Sequence, residues 1–360
     1  MKINNRVFNI SGRNIGQDQP PYIIAELSAN HGGSIDAAKI AISKAKESGA
    51  SAVKIQTYTP DTMTIMSNKP DFKITDGLWK GYTLYNLYKE AFTPFEWHKE
   101  LFEHAKNQDI TIFSSPFDET AVNLLQELNA PAYKIASFEL IDLPLIRRAA
   151  ECGKPLLMST GMANLSEVKE ALEVALKYGC GDVLLFHCIS SYPAPVTESN
   201  LKNIQFLRQE FGVEVGLSDH TMSNLASTLS IALGATAIEK HFKPTDDSKG
   251  PDSSFSITPA QLNMLVNDCN DAWKSLGKNG FHRSLAEEGS LKHRRSIYFM
   301  NNLKKGNIIR STDIRAIRPG FGLPPKYMDS IVGKHVSCDV ERGDPVSFDV
   351  IKEKNNTPFV

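Results

Sequence analysis

Val215-Gly216-Leu217-Ser218-Asp219-His220 and Ala235-Thr236-Ala237-Ile238-Glu239-Lys240-His241-Phe242 decide the fold. Each is a short β-like run that ends on or beside a histidine, and the stretch between them, Asn224 to Gly234, has about the length of one helix. Strand, helix and strand in succession make a parallel pair, which needs such a crossover. Both imidazoles then stand side by side at one edge of the sheet. Imidazole is the commonest metal ligand among side chains, so His220 and His241 read as a candidate pair of metal ligands with coordination positions left open for substrate. A single histidine at a strand end is more often a satisfied polar residue. The charged neighbours Asp219, Glu239 and Lys240 argue for chemistry here.

Outward from this pair, the same alternation runs back to about residue 20. β-like runs at Tyr22–Leu27, Ala52–Thr57, Ile110–Ser115, Ala132–Ser137, Pro155–Thr160, Val183–Ile189, Glu214–Ser218 and Ala235–His241 alternate with helical patterns. Several are almost wholly apolar until their last residues, as strands buried on both faces are. In Ser34–Gly49, Ala38, Ile42, Ala45 and Gly49 fall on one helical face, with Ser34 as N-cap and Gly49 as stop. Asn164–Tyr178 and Thr258–Leu276 have the same character. Eight βα units predict an α/β fold of the (β/α)8 TIM-barrel type, with an open doubly wound sheet as the alternative. Residues 68–97 interrupt the pattern with an aromatic-rich insertion, either a lid over the barrel mouth or a minor core.

The catalytic barrel is expected over residues 1–276 and a polar, glycine-containing linker over 277–293. From residue 294 to 360 short strands and turns predict a small β-rich domain of about 65 residues, too small to be more than marginally stable alone. The 360-residue chain carries a formal net charge of -1, so no global field recruits nucleic acid or a membrane surface. No run approaches the ~18 apolar residues of a membrane span, and Met1-Lys2-Ile3-Asn4-Asn5-Arg6 lacks the apolar core of a signal peptide. Five scattered cysteines without CxxC spacing suit a reduced, cytoplasmic protein. Cys188 alone falls near the expected site.

Strand C-terminal ends build the active site of a TIM barrel. Here they present Glu26, Lys54, Gln56, Ser115, Lys134, Ser137, Ser159, Ser190, Tyr192, Ser218 and Glu239 beside the two histidines. Lysines supply point charge and hydroxyls directed donors, which together suit a phosphate. Lys54 and Lys134 lie inside otherwise apolar strands, where an unpaired ammonium is costly. They call for a bound anion or a carboxylate, and Glu26 and Glu239 are the candidates. Glu26, at the end of an apolar run, is placed either for acid–base work through a raised pKa or for a salt bridge to Lys54.

Ile23-Ile24-Ala25-Glu26 with Asn30-His31, Lys54-Ile55-Gln56-Thr57-Tyr58, Ser115-Pro116-Phe117, Tyr133-Lys134-Ile135-Ala136-Ser137, Ser159-Thr160-Gly161-Met162, Gly216-Leu217-Ser218-Asp219-His220-Thr221, Glu239-Lys240-His241-Phe242 and Gly250-Pro251-Asp252 together resemble the sialic acid synthases, the phosphoenolpyruvate-dependent nonulosonic acid synthases. The resemblance covers nearly the whole chain, and the C-terminal module looks like their antifreeze-like (SAF) domain. Residues 84–98, 113–120 and Gly250-Pro251-Asp252-Ser253-Ser254-Phe255-Ser256 look most like the pseudaminic acid synthase branch. Ser190 departs from the asparagine usual near this position.

The resemblance implies condensation of phosphoenolpyruvate with an open-chain amino sugar, here 2,4-diacetamido-2,4,6-trideoxy-L-altrose. His220 and His241 would hold Mn2+, with Mg2+ or Co2+ as alternatives. Lys54, Ser115, Lys134, Ser137, Ser159, Ser190 and Ser218 would hold phosphoenolpyruvate. Glu26, with Glu239 as the second candidate, would serve proton transfer or water positioning. Tyr192 and Asp252 would contact the sugar or metal-bound water, Phe255 the sugar's methyl group, and Arg318 would reach the sugar across a domain-swapped homodimer. The product would serve flagellin glycosylation or surface polysaccharide. N-acetylneuraminate or legionaminate synthesis is the alternative within the family; a non-catalytic carbohydrate-binding protein is the distant one.

Overall fold

The computed structural model describes residues 8–352. Residues 1–6, read for a leader, and 353–360 of the expected β-rich domain lie outside them. The chain divides into two compact units, Met1–Gly277 and Lys278–Val360.

In the first unit eight strands run Tyr22–Glu26 (β1), Ala52–Thr57 (β2), Thr111–Pro116 (β3), Tyr133–Ile135 (β4), Leu156–Ser159 (β5), Val183–Cys188 (β6), Glu214–Asp219 (β7) and Ala237–His241 (β8). All pair in parallel with their chain neighbours, and β8 pairs β1 to close the barrel. The open-sheet alternative is thereby excluded. Strand β4 stops at Ile135, short of the expected Ser137, because Ser137–Glu139 turns into a 3-10 helix. The helix over Ile35–Glu47 begins as the sequence requires: the Ser34 side chain accepts from Ala37 N, and Gly49 takes φ +90° past its end.

Alternation along each strand sorts the side chains. The outward set, such as Ile23, Val53, Ile135, Met158, Leu185 and Ile238, packs under the helices in one large apolar cluster. The inward set changes character along the strands. At the N-terminal end Tyr22, Ile24, Ala52, Phe113, Leu157, Leu184, Phe186 and Ala237 form an inner core, and the hairpin of Phe8–Ile10 with Arg13–Ile15 adds Phe8, Ile10 and Ile15 to it. Gly216 makes room for Phe186: a Cβ there would lie 2.5 Å from Ala237 O and 2.6 Å from the Phe186 ring. Continuing each strand in steps of two from this core gives Glu26, Lys54, Ser115, Lys134, Ser159, Cys188, Ser218, Glu239 and His241. The barrel is therefore apolar below and polar at its C-terminal mouth.

The same parity sends Asp219 and Lys240 outward, and corrects their reading as part of the site. Lys240 Nζ donates to Asp219 Oδ2 at 2.8 Å and to Thr221 O at 2.6 Å, while Ser227 Oγ donates to the same carboxylate at 2.6 Å. This buried pair ties β7 and β8 to the start of the helix Leu225–Ala232.

In the second unit Ser296–Phe299 pairs antiparallel with Ile314–Ile317, and His335–Val336 with Ile351–Lys352. Ile297, Phe299, Ile309, Ile314, Val336 and Val346 make its small core. The stretch expected as a linker holds short helical turns at Leu285–Glu288 and Leu291–His293.

Candidate active site

Two buried lysines occupy the mouth in different electrostatic states. Lys54 Nζ, from β2, lies 3.0 Å from Glu239 Oε1 and 3.3 Å from Glu26 Oε2, and donates to Ser115 Oγ at 3.2 Å. Burial works against its charge, but Glu239 and Glu26 hold its pKa above the ordinary lysine value. Lys134 Nζ, from β4, donates to Ser159 Oγ at 2.6 Å and Ile135 O at 3.2 Å, over the Phe186 ring. Among the described residues no carboxylate lies within salt-bridge distance of it, and burial pulls its pKa down. A buried ammonium with no carboxylate at salt-bridge distance, 1 % exposed, is a site for an anion.

The two carboxylates beside Lys54 differ. Burial pushes Glu26 up to about 7, opposed by Lys54 and reinforced by Glu239. Burial also acts on Glu239, but Lys134 and Lys54 together bring it below its ordinary value. Glu239 is thus the charged partner, and Glu26 is the carboxyl that exchanges a proton near neutrality. Glu26 Oε1 accepts from Gln56 Nε2 at 3.1 Å, while its Oε2 makes no hydrogen bond.

The hydroxyls gather around Gly161. Gly161 N donates to Ser137 Oγ at 3.2 Å. A Cβ at Gly161 would stand 2.2 Å from Ser190 Oγ and 2.7 Å from Ser137 Oγ. Ser218 is buried in β7 and registers with Glu239 on β8 and Cys188 on β6. Cys188 Sγ lies 3.9 Å from Ser190 Oγ and 3.8 Å from His220 Nδ1. Burial pushes that thiol up, but His220, Ser137 and Lys134 leave it at about 7.

The histidines meet as their strand positions require, with ring centroids 5.4 Å apart. His220 Nδ1 lies 2.9 Å from Ile189 O and donates there, so in the neutral ring Nε2 carries the lone pair, although burial is outweighed by Cys188 and Ile189, which raise the pKa of this histidine. His241 Nδ1 is buried without a hydrogen-bond partner, 3.9 Å from Asp252 Oδ2. Burial, with His220 and Lys54 nearby, holds His241 well below the ordinary histidine pKa. Two imidazoles with a free lone pair and an orphaned buried nitrogen fit a divalent transition ion. Among the described residues no three His, Cys, Asp or Glu cluster closely enough to fill a coordination shell.

Tyr192 and Phe255 complete this side. Tyr192 stands 4.3 Å from the His220 ring and 5.2 Å from Phe255, which is 4.9 Å from His241. The loop carrying Asp252 and Phe255 is pinned to the loop after β1. Ser28 Oγ donates to Asp252 Oδ2, Asn30 Nδ2 to Ser256 Oγ at 2.8 Å, and Ser253 Oγ to Asn30 Oδ1 at 2.8 Å. The sequence places these residues at a strand end and in one motif but does not show that they pair. Their signal was the polar run Ser28-Ala29-Asn30 at a strand end. Sequence reading missed Glu139, whose Oε2 is buried without a hydrogen bond and whose carboxyl burial pushes up to about 7. Its only signal was its place two residues after Ser137. Arg318 belongs to the second unit, exposed, directly after the strand Ile314–Ile317 and before a cis bond to Pro319.

A model described as the NeuB family matches residues 41–280, and one for the SAF domain matches 294–352. The chain is 42% identical over 334 residues to the pseudaminic acid synthase of Campylobacter jejuni strain 81-176, covering 92% of this chain and 96% of that protein. It is 40% identical over 338 residues to the pseudaminic acid synthase of Helicobacter pylori, covering 93% and 98%. Among solved structures, the N-acetylneuraminic acid synthetase of Leptospira borgpetersenii in complex with citrate superposes with a TM-score of 0.71 at 29% identity, over 79% of this chain and 95% of that one.

Proposed function

Because the chain belongs to the NeuB family, we propose that it is a pseudaminic acid synthase, condensing phosphoenolpyruvate with 2,4-diacetamido-2,4,6-trideoxy-L-altrose to give pseudaminic acid and phosphate. The observation that carries this reading is Lys134, a buried ammonium that donates to Ser159 Oγ and Ile135 O and, among the described residues, has no carboxylate at salt-bridge distance. The 40–42% identity to synthases of that name supports the choice of sugar.

In this reading Lys134, Ser159, Ser137 and Ser190 hold the phosphate, and Lys54 with Ser115 and Ser218 the carboxylate. His220 and His241 would hold the divalent ion, most simply Mn2+, whose chemistry when bound is to polarise the aldehyde oxygen. The methylene carbon of phosphoenolpyruvate bonds to the aldehyde carbon, and positive charge develops at C2. Water adds at C2 and loses a proton, and the tetrahedral centre expels phosphate with C–O cleavage. Glu26, whose Oε2 lies 3.3 Å from Lys54 Nζ and whose pKa burial pushes up to about 7, holds and moves that proton. Glu239 stays ionised and fixes Lys54. Tyr192, Asp252 and Phe255 contact the sugar.

The same reading has the chain act in the cytoplasm as a domain-swapped homodimer, with Arg318 serving the partner's sugar site and the product used in flagellin or surface glycosylation. Free cysteines, and the absence among the described residues of any helix long and apolar enough to cross a membrane, are consistent with that compartment. Mixing two inactive variants, R318A and H220A, tests the swap: activity regained on mixing supports it, and none regained removes it.

The deciding experiment is phosphate release from phosphoenolpyruvate with and without Mn2+, offering the diacetamido-trideoxy-altrose beside N-acetylmannosamine. Metal-dependent release with the altrose alone is expected. Release with N-acetylmannosamine alone would replace the sugar assignment.

A further inference from the structure

Residues 73–83 of the insertion form a hairpin: Lys73 bridges Thr83, Ile74 N donates to Tyr82 O at 2.9 Å, and Gly81 N to Ile74 O at 3.0 Å. Gly77 and Gly81, at φ +76° and +97°, supply its left-handed turns. A lone hairpin is marginal in water, and this one has no core of its own, since Leu78 is 48% and Tyr82 37% exposed. Trp79 anchors it elsewhere. The indole Nε1 donates to Pro251 O at 3.0 Å, and its ring lies 5.9 Å from Tyr192 and 6.3 Å from Phe255. Three aromatics from three separate segments thus form one wall that leads to the histidine pair. In the assignment above the histidine pair serves the sugar aldehyde and the lysines serve phosphoenolpyruvate, so a wall packed against the histidines lies on the sugar side.

We propose that Trp79 is a specificity-determining residue, packing its indole on the apolar substituents of the sugar, the C6 methyl and acetamido methyls. This rests on the sugar assignment above. An aromatic face gains from contact with methyl groups and loses where it strips water from a hydroxyl it cannot bond. A hydroxymethyl group at C6 is therefore disfavoured at this wall.

The test is steady-state kinetics of wild type, W79A and W79F with the diacetamido-trideoxy-altrose and with N-acetylmannosamine, at varied phosphoenolpyruvate. W79A is expected to lower kcat/KM for the altrose by about tenfold or more through KM for the sugar. The KM for phosphoenolpyruvate should stay within about twofold, and discrimination against N-acetylmannosamine should fall by the same order as kcat/KM for the altrose. W79F should recover part of each loss. Unchanged discrimination, or equal losses toward both substrates, overturns the proposal. If W79A does not fold, the wild-type minus W79F emission difference takes its place. It should change when the altrose is added to the metal-loaded protein without phosphoenolpyruvate, and no change overturns the proposal. Wild type that releases phosphate with the altrose while the Trp79 variants discriminate as it does sinks this inference alone. Wild type silent with the altrose sinks the sugar assignment and this inference with it.

Discussion

Lys54 Nζ lies 3.0 Å from Glu239 Oε1, and both side chains are buried. Glu26 Oε2 lies 3.3 Å from the same ammonium, so one cation serves two carboxylates. Removing one member of a buried ion pair strands the other charge, at a cost of about 3–5 kcal/mol. K54M should therefore lower unfolding free energy by about that amount in urea titrations and abolish phosphate release. The double variant K54M/E239Q should regain part of the stability and none of the activity. Additive losses in the double variant would show that the two groups do not act as a pair.

Glu26 supplies a pH dependence. Its folded pKa, about 7, lies above its ordinary value of 4.5 because burial disfavours the charge. The folded state therefore holds the proton more tightly than the unfolded chain. The contribution is fully present below 4.5 and is lost as pH rises through about 7. E26Q keeps a neutral side chain beside Gln56 throughout. The stability of wild type relative to E26Q, from urea unfolding at pH 5 to 8 without substrate, should fall as pH rises. A constant difference would mean that Glu26 titrates in its ordinary range.

Gly161 is a specific lever on the phosphate side of the site. A Cβ there would overlap Ser190 Oγ at 2.2 Å and Ser137 Oγ at 2.7 Å. G161A should displace both hydroxyls, raise KM for phosphoenolpyruvate, and leave KM for the sugar nearly unchanged. Overpacking of this kind costs about 1–3 kcal/mol, which thermal unfolding would register. An unaltered KM for phosphoenolpyruvate would remove Ser137 and Ser190 from that subsite.

Where these side chains meet is largely legible in the sequence, for one physical reason. Parallel strands of a closed barrel bring every C-terminal end to one mouth, so chemistry-bearing residues at strand ends converge without any tertiary detail. Lys54, Lys134, His220 and His241 were found in this way. Strand parity, not proximity in sequence, then decided which neighbours joined them: Glu239 and His241 point in, and Lys240 between them points out to Asp219. Loop residues gave no comparable signal. The aromatic insertion reads as a lid or a minor core, but which of its rings, Trp79 among them, reaches the mouth depends on how loops fold, as do Glu139 and the Ser28–Asp252 contact, and no periodicity in the chain encodes that. The exposed Arg318 was named only through the family resemblance.

The histidine pair makes the last prediction. His241 Nδ1 is buried without a hydrogen bond, and His220 is oriented by Ile189 O so that Nε2 is free. A ligand that binds only the folded state raises stability by RT ln(1 + [L]/Kd), about 2.7 kcal/mol at a hundredfold excess over Kd. Mn2+ added to chelator-treated protein should therefore raise Tm without any substrate. H220A or H241A should abolish that rise and the metal content found by elemental analysis. D252N should weaken it less, since Asp252 Oδ2 stands 3.9 Å from the His241 ring nitrogen and is held by Ser28. The alanine variants remove a buried polar group and should fold. A Tm rise of wild-type size in H220A/H241A would place the ion elsewhere in the molecule.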